Sequence, residues 1–208
     1  MDNPLLLVGV DEASAIKRDF KLARAEAIQA YAYLEQSMCG LFAHFAGVTD
    51  QIAGVIFFKM NNARSRVAVS ERLKRLKYGN TRSLYFNSIK AALGPIDGER
   101  NHLVHWHERF ETRSNFATGA HAMSSFLDPP AYWDHSDDTP RMGIEEVQDF
   151  TSKCYALGGS IFSLTYDWEG PPFAQPWPDI FEQPVTFPLP EGHPLVPNQQ
   201  APTILPQL

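Results

Sequence analysis

Between residues 14 and 45 the apolar positions recur at intervals of three, four and seven. Phe20, Ala27, Tyr31, Leu34, Met38, Leu41 and Phe45 therefore fall on one stripe of a long helix. A sustained three-four alternation suits helices that cross at a shallow angle in a bundle. Gly47 marks the end of this helix, and Thr49 is placed to cap the next. A second helix is expected over 50–77, with Ile52, Val55, Ile56, Lys59, Ala63 and Val67 along one side, Leu73 and Leu76 beyond them, and a kink at Asn61-Asn62. Tyr78-Gly79-Asn80 is a stop signal. Thr81 or Ser83 opens a third helix through Leu84, Phe86, Ile89 and Leu93. Gly94-Pro95 is expected to end it, because proline lacks the amide hydrogen that continues a helix yet fits the first turn of a new one. A short fourth segment then covers 95–110.

The pattern changes over 111–142, which holds Gly119, Pro129-Pro130, Pro140 and the acidic group Asp134, Asp137 and Asp138. Strand-like pieces at 110–114 and 120–126 make this an insertion, a loop or a short β-hairpin. Helical spacing returns over 144–168, with Val147, Phe150, Cys154, Leu157, Ile161 and Leu164 on one stripe and Gly158-Gly159 weakening the middle. From residue 169 onward the chain carries eleven of its sixteen prolines and neither Lys nor Arg. That composition predicts an extended arm, and Phe173, Trp177, Phe181 and Phe187 predict that part of it packs on a surface. The expected architecture is all-α: an antiparallel helical bundle over 1–168, interrupted by the 111–142 insertion, then a proline-rich tail over 169–208.

Composition adds three constraints. Apolar residues at 44% are enough for a packed core in a chain of 208 residues. A net charge of −6 argues against a general nucleic-acid coat, since sequence-independent binding to phosphates needs a cationic field. Cys39 and Cys154 lie far apart and read as reduced, buried thiols. The apolar run over 5–10 lacks a basic flank and the length of a signal-peptide core, and no stretch reaches the ~20 apolar residues of a membrane span. A soluble cytoplasmic protein is expected, with no membrane partner.

The densest chemistry lies at Glu99-Arg100-Asn101-His102-Leu103-Val104-His105-Trp106-His107. Asn101 and His105 are four apart and share a helix face, and the long Arg100 side chain reaches that face from one residue away. After Gly94-Pro95 and Gly98 the motif is expected just inside a new helix, where free backbone N–H groups favour a phosphate. A phosphodiester cleft needs a fixed cation, a proton-transfer group with a pKa near neutrality and a positioning amide, which Arg100, His105 and Asn101 supply. Two bland readings stay open: Arg100 and Asn101 as a helix cap with His105 packed beside Trp106, and a metal cluster of His102, His105 and His107. No acidic or Cys partner sits at a zinc spacing, so neither metal nor cofactor is expected.

Here the chain resembles the HEPN superfamily of helical bundles, whose signature is an Arg, an adjacent polar residue and a His a few positions on. Arg100-Asn101 and His105 match it, with four residues between Arg100 and His105. The order of helices over roughly 14–168 is similar as well. The resemblance implies a HEPN-like bundle and a metal-independent endoribonuclease whose site forms where two protomers meet. It also implies RNA as substrate, a toxin–antitoxin or antiphage setting, and an antitoxin protein as a partner to look for. Some members of the superfamily are non-catalytic, which makes a helical RNA- or protein-binding module the alternative.

A second feature is basic. Lys59, Arg64, Arg66, Arg72, Lys74, Arg75, Lys77, Arg82 and Lys90 are opposed in that interval only by Glu71. One reading is a solvated helix face. The other is an RNA-backbone track, with Arg72, Lys74, Arg75 and Lys77 at its centre, leading toward Arg100.

Overall fold

The computed structural model describes residues 4–115, 120–130, 141–169 and 179–189. Among these it has five α-helices, α1 (Pro4–Ala46), α2 (Asp50–Phe57), α3 (Ala63–Tyr78), α4 (Ser83–His105) and α5 (Ile144–Glu169), with an antiparallel pair of strands, β1 (His107–Asn115) and β2 (Ala120–Asp128). The chain is mostly helical, as the apolar spacing predicts. Helix α1 begins ten residues before the expected start at 14. Pro4 at its first position has the φ a helix requires, and no second proline stands between it and the apolar stripe, although Gly9 does.

The α1 stripe is the core. Phe20, Ala27, Leu34, Leu41 and Phe45 are buried, and so are Val147, Phe150, Cys154, Leu157, Ile161 and Leu164 of α5. These two helices form the principal packing pair. Tyr31 stacks against Phe150 with ring centroids 6.4 Å apart, and Tyr33 packs on Tyr155. Gly158 is a point of close approach: a Cβ placed there would stand 2.5 Å from Tyr33 Cε1. It therefore permits the contact rather than weakening the helix. The second cysteine, Cys39, belongs to a satellite cluster with Phe42, Ala43, Ala53 and Phe57 under α2.

Helix directions depart from the antiparallel arrangement expected from sequence. Residues 16–20 of α1 lie by 144–146 of α5, and Tyr33 by Gly158, so α1 and α5 run parallel. Arg66 of α3 pairs with Glu35, and Lys77 bonds the carbonyl of His44, so α3 also runs with α1. Only α4 runs against them: Arg24 meets Leu103, and Tyr31 meets Asp97. The cause is the break at 58–62, which divides the single helix expected over 50–77 into α2 and α3. Asn62 has extended backbone and its Oδ1 accepts from Ser65 N at 2.7 Å. Asparagine is well suited to such a cap, because its side chain competes for backbone donors. Helix α2 turns back sharply from α1, with 112° between their axes, and the Asn62 cap restarts α3 in the original direction. Among the described residues no single helix is long and apolar enough to cross a membrane.

A further correction concerns Gly94-Pro95, which does not end the third helix. Helix α4 runs through Pro95 without a break. Pro95 and Ala91, whose carbonyl loses its amide partner, are both exposed, so that carbonyl is not buried without a partner. Tyr85, Phe86, Ile89, Ile96 and Leu103 hold the opposite face in the core. The insertion is the expected hairpin, with Phe110 opposite Ser125 and His107 opposite Asp128. Leu127 also bridges to Met142. The acidic group Asp134, Asp137 and Asp138 lies outside the described residues.

The tail packs onto α4 in part. Residues Asp179–Glu182 form a 3-10 turn rather than purely extended chain. Phe181 is buried edge-on against Tyr85 at 5.0 Å, and Val185 N donates to Ser88 Oγ at 3.1 Å. Phe187 packs on the same cluster, whereas Phe173 and Trp177 lie outside the described residues.

Two substitutions test this packing. Phe181→Ala should lower the unfolding free energy by about 3–5 kcal/mol, the usual cost of emptying a buried phenyl site. Gly158→Ala should cost about 1–3 kcal/mol by overpacking against Tyr33. Denaturant melts on both variants read these values, and an unchanged midpoint for Gly158→Ala contradicts the close-approach role.

Candidate phosphate-handling site at the end of α4

The last two turns of α4 alternate buried and exposed positions. Leu103 is buried, as is Trp106 just beyond the helix, while Asn101, Val104 and His105 face solvent. Arg100 is half-buried. Its guanidinium lies over the Tyr31 ring, 5.6 Å from the centroid, and its Nη1 donates to Asn101 Oδ1 at 3.2 Å. Tyr31 in turn donates its hydroxyl to Asp97 Oδ1 at 3.0 Å. Burial, then the nearby Asp97 and Glu35 carboxylates, push the Tyr31 phenol above its usual pKa, with Arg100 opposing. The phenol therefore stays a neutral donor, and Arg100 keeps one pose on a rigid platform.

Arg100 and Asn101 are thus joined directly. His105 shares the Asn101 face one turn further on, and among the described residues no hydrogen bond ties it to either. A side chain free at this end can turn toward a ligand. His102 is occupied differently: its ring stacks on Trp106 at 3.9 Å with 17° between planes. Burial lowers its pKa, against the pull of Glu99. His107 belongs to β1, and among the described residues no group of three His, Cys, Asp or Glu is placed to hold a metal ion.

One expectation is reversed. The motif sits at the C-terminal end of α4, not just inside a helix start. The end of a helix presents carbonyls and a partial negative charge, which offers a phosphate nothing. Arg24 of α1 offsets this: its Nε donates to Leu103 O at 2.8 Å and its Nη2 to Trp106 O at 3.3 Å. Lys17 and Lys21 precede it on the same face at i, i+4 and i+7, both exposed, and Lys17 Nζ lies 4.4 Å from the Phe110 ring centre. Arg24 thus sets a cation against the carbonyls at the end of α4, and Lys17 lies against the hairpin that follows. Their spacing along α1 was a signal present in the sequence, overshadowed by the denser run downstream.

That downstream run is less of a track than its composition implies. Lys74 is only 3% exposed, and its ammonium is bound to Ser83 Oγ at 2.7 Å and Gly79 O at 3.3 Å. It ties the α3–α4 turn and is not available to RNA, which corrects its expected role. Arg66 pairs with Glu35, and Lys90 and Arg75 with Glu71. Arg72, Arg75 and Lys77 are exposed. They lie near His44, about 20 Å along α1 from the Tyr31 ring under Arg100 at 1.5 Å per residue, whereas Arg64, Arg66 and Lys90 of the same run stand closer, in the cleft that Tyr31 lines. This cleft of about 470 Å³ opens among α1, α3 and α4, with Tyr31 and Asp97 in its wall. No family model, curated protein or solved structure matches this chain.

The stacked His102 makes stability depend on pH. Its folded-state pKa is depressed, so the unfolded chain binds more protons in the acid range. The stabilisation is fully present above about pH 6.5, the ordinary histidine value, and is lost as pH falls through the lower folded value. His102→Phe keeps a ring on Trp106 and removes the titration. Thermal melts should show a smaller acid-side loss for His102→Phe than for the wild type, and identical pH profiles contradict this account.

Proposed function

We propose that this chain is a HEPN-like helical bundle acting as a metal-independent endoribonuclease. The observation that carries the reading is the Arg100 guanidinium, fixed over Tyr31 and bonded to Asn101, with His105 exposed one turn along the same surface. The similarity of Arg100-Asn101 and His105 to the family signature points the same way. RNA is the substrate because the 2′-hydroxyl supplies the nucleophile and the protein then needs only to position and to move protons.

In this mechanism the neutral His105 imidazole takes the proton of the ribose 2′-hydroxyl as its oxygen bonds to phosphorus. Arg100 stabilises the charge that develops on the phosphoryl oxygens, and Asn101 orients the phosphate. The bond from phosphorus to the 5′-oxygen breaks, and that oxygen leaves with a proton from an imidazolium. The products are a 2′,3′-cyclic phosphate and a 5′-hydroxyl. One Arg and one His make a thin site, and a two-fold homodimer doubles it. Lys17, Lys21 and Arg24 supply the local cationic surface, with Arg72, Arg75 and Lys77 a separate backbone contact. A cytoplasmic toxin–antitoxin or antiphage role, with an antitoxin protein as partner, follows from the family resemblance.

A second reading is a non-catalytic helical module for RNA or protein. It draws on the position of the motif at the carbonyl end of α4 and on the internal engagement of Arg100 with Tyr31 and Asn101.

Incubation of the purified protein with mixed RNA in EDTA separates the two, with end-group analysis of the fragments. His105→Ala should lower the cleavage rate by about 10²–10⁴ while leaving the melting temperature and RNA affinity nearly intact. Arg100→Ala should lower both affinity and rate. Cutting at the wild-type rate by folded His105→Ala protein removes the catalytic assignment. A strictly monomeric species by light scattering at tens of micromolar removes the composite site.

A further inference from the structure

The cleft beside Arg100 has a floor made largely of aliphatic side chains from α1, α3 and α4 and a wall of charged groups. Its volume of about 470 Å³ is within the range that small-ligand sites use. Its charges are not equivalent. Glu35 is paired with Arg66, and Glu71 with Lys90 at 3.0 Å. Asp97 meets only a neutral donor among the described residues, the Tyr31 hydroxyl on Oδ1. Among the described residues it forms no ion pair, and its second oxygen accepts no hydrogen bond. Asp97 also stands three residues before Arg100, so the two side chains occupy neighbouring positions on one helix face. The guanidinium lies against Tyr31, whose hydroxyl holds Asp97, so a carboxylate and a cation stand about one phenol ring apart.

A nucleotide has the complementary layout, with a flat base bearing hydrogen-bond donors at one end and a phosphate at the other. We propose that this cleft holds the base next to the phosphate that Arg100 handles, and that Asp97 selects guanine. Guanine alone among the four RNA bases offers two adjacent N–H donors, at N1 and N2, which match one carboxylate: the open oxygen takes one, and Oδ1 takes the other on its second lone pair, beside the Tyr31 hydroxyl. Adenine and cytosine pair a single amino donor with an acceptor that Asp97 repels, and uracil offers only one imide N–H between acceptors. The aliphatic floor takes the base face out of water. Exposed Arg64, across the cleft at the start of α3, places one cation at the opening, where it can meet an anionic ligand. The inference rests on the RNA-cleaving reading for its ligand class, but the cleft, its floor and the free face of Asp97 stand without it.

Titration of the full-length protein with GMP, IMP, AMP and CMP, followed by calorimetry, tests the assignment. GMP should bind best, and IMP, which lacks only the 2-amino group, about tenfold more weakly, the size of one hydrogen bond to a charged acceptor. Asp97→Asn should abolish the preference of GMP over IMP. Equal affinities for the four nucleotides, or no binding up to millimolar concentration, overturn the proposal, and this comparison needs only the wild-type protein. Mapping of RNA cleavage ends separates the two readings. Cutting without guanine at the scissile step, together with absent GMP binding, ends the cleft assignment and leaves the nuclease. GMP binding by a protein that cuts no RNA does the reverse.

Discussion

Tyr33 and Gly158 meet in a tight contact between the two longest helices, and the remainder of the fold is arranged around that helix pair. A missing Cβ on α5 lets a phenol ring of α1 settle against the helix. The contact fixes how far α1 slides along α5 and how it is rotated. Tyr31, two residues earlier, is thereby turned toward Phe150 on one side and Arg100 on the other. The packing of an interior glycine thus reaches the candidate site through a single turn of α1. Interiors this dense transmit such constraints because side chains have few alternative seats.

The α1 helix also separates two kinds of positive charge. Toward its N-terminal half, Lys17, Lys21 and Arg24 gather near the end of α4, with Arg24 holding the carbonyls of Leu103 and Trp106. Near its C-terminus, Lys77 grips the carbonyl of His44 and Lys74 closes the turn into α4. The second group is richer in cations by composition and poorer in available ones by geometry. A count of charges along the chain misses this, because a buried ammonium bound to Ser83 and Gly79 and a solvated guanidinium contribute equally to the count.

Much of the fold was legible because burial imposes periodicity. The stripes of α1 and α5, the β-hairpin and the partial docking of the tail all follow from apolar spacing and composition. What was not legible depends on where a residue stands in three dimensions. Asn61-Asn62 reads as a kink, and only the Asn62 cap with the new axis of α3 turns it into a reversal of direction. Pro95 reads as a terminator, yet its ring faces solvent on a helix whose other side is anchored in the core. Spacing places Arg100, Asn101 and His105 together near the end of α4, and there Arg100 donates to Asn101 with His105 one turn further on. Their electrostatic setting was not legible, because continuity through Pro95 moves them from the positive end of a helix to the negative end. The contributions of Arg24, Tyr31 and Asp97 require contacts between elements far apart in sequence.

The seating of Phe181 and Val185 on α4 has a consequence for the order of events during synthesis. The segment that covers Tyr85 and bonds Ser88 is translated after every helix it touches. Until it emerges from the ribosome, α4 lacks part of its cover, and the apolar face around Tyr85 and Phe86 is open to water and to chaperones. The helix that carries Arg100 and His105 is thus finished late, by a strap rather than by another helix. Arg100 and His105 would then reach their settled places only after the segment around Phe181 had been made.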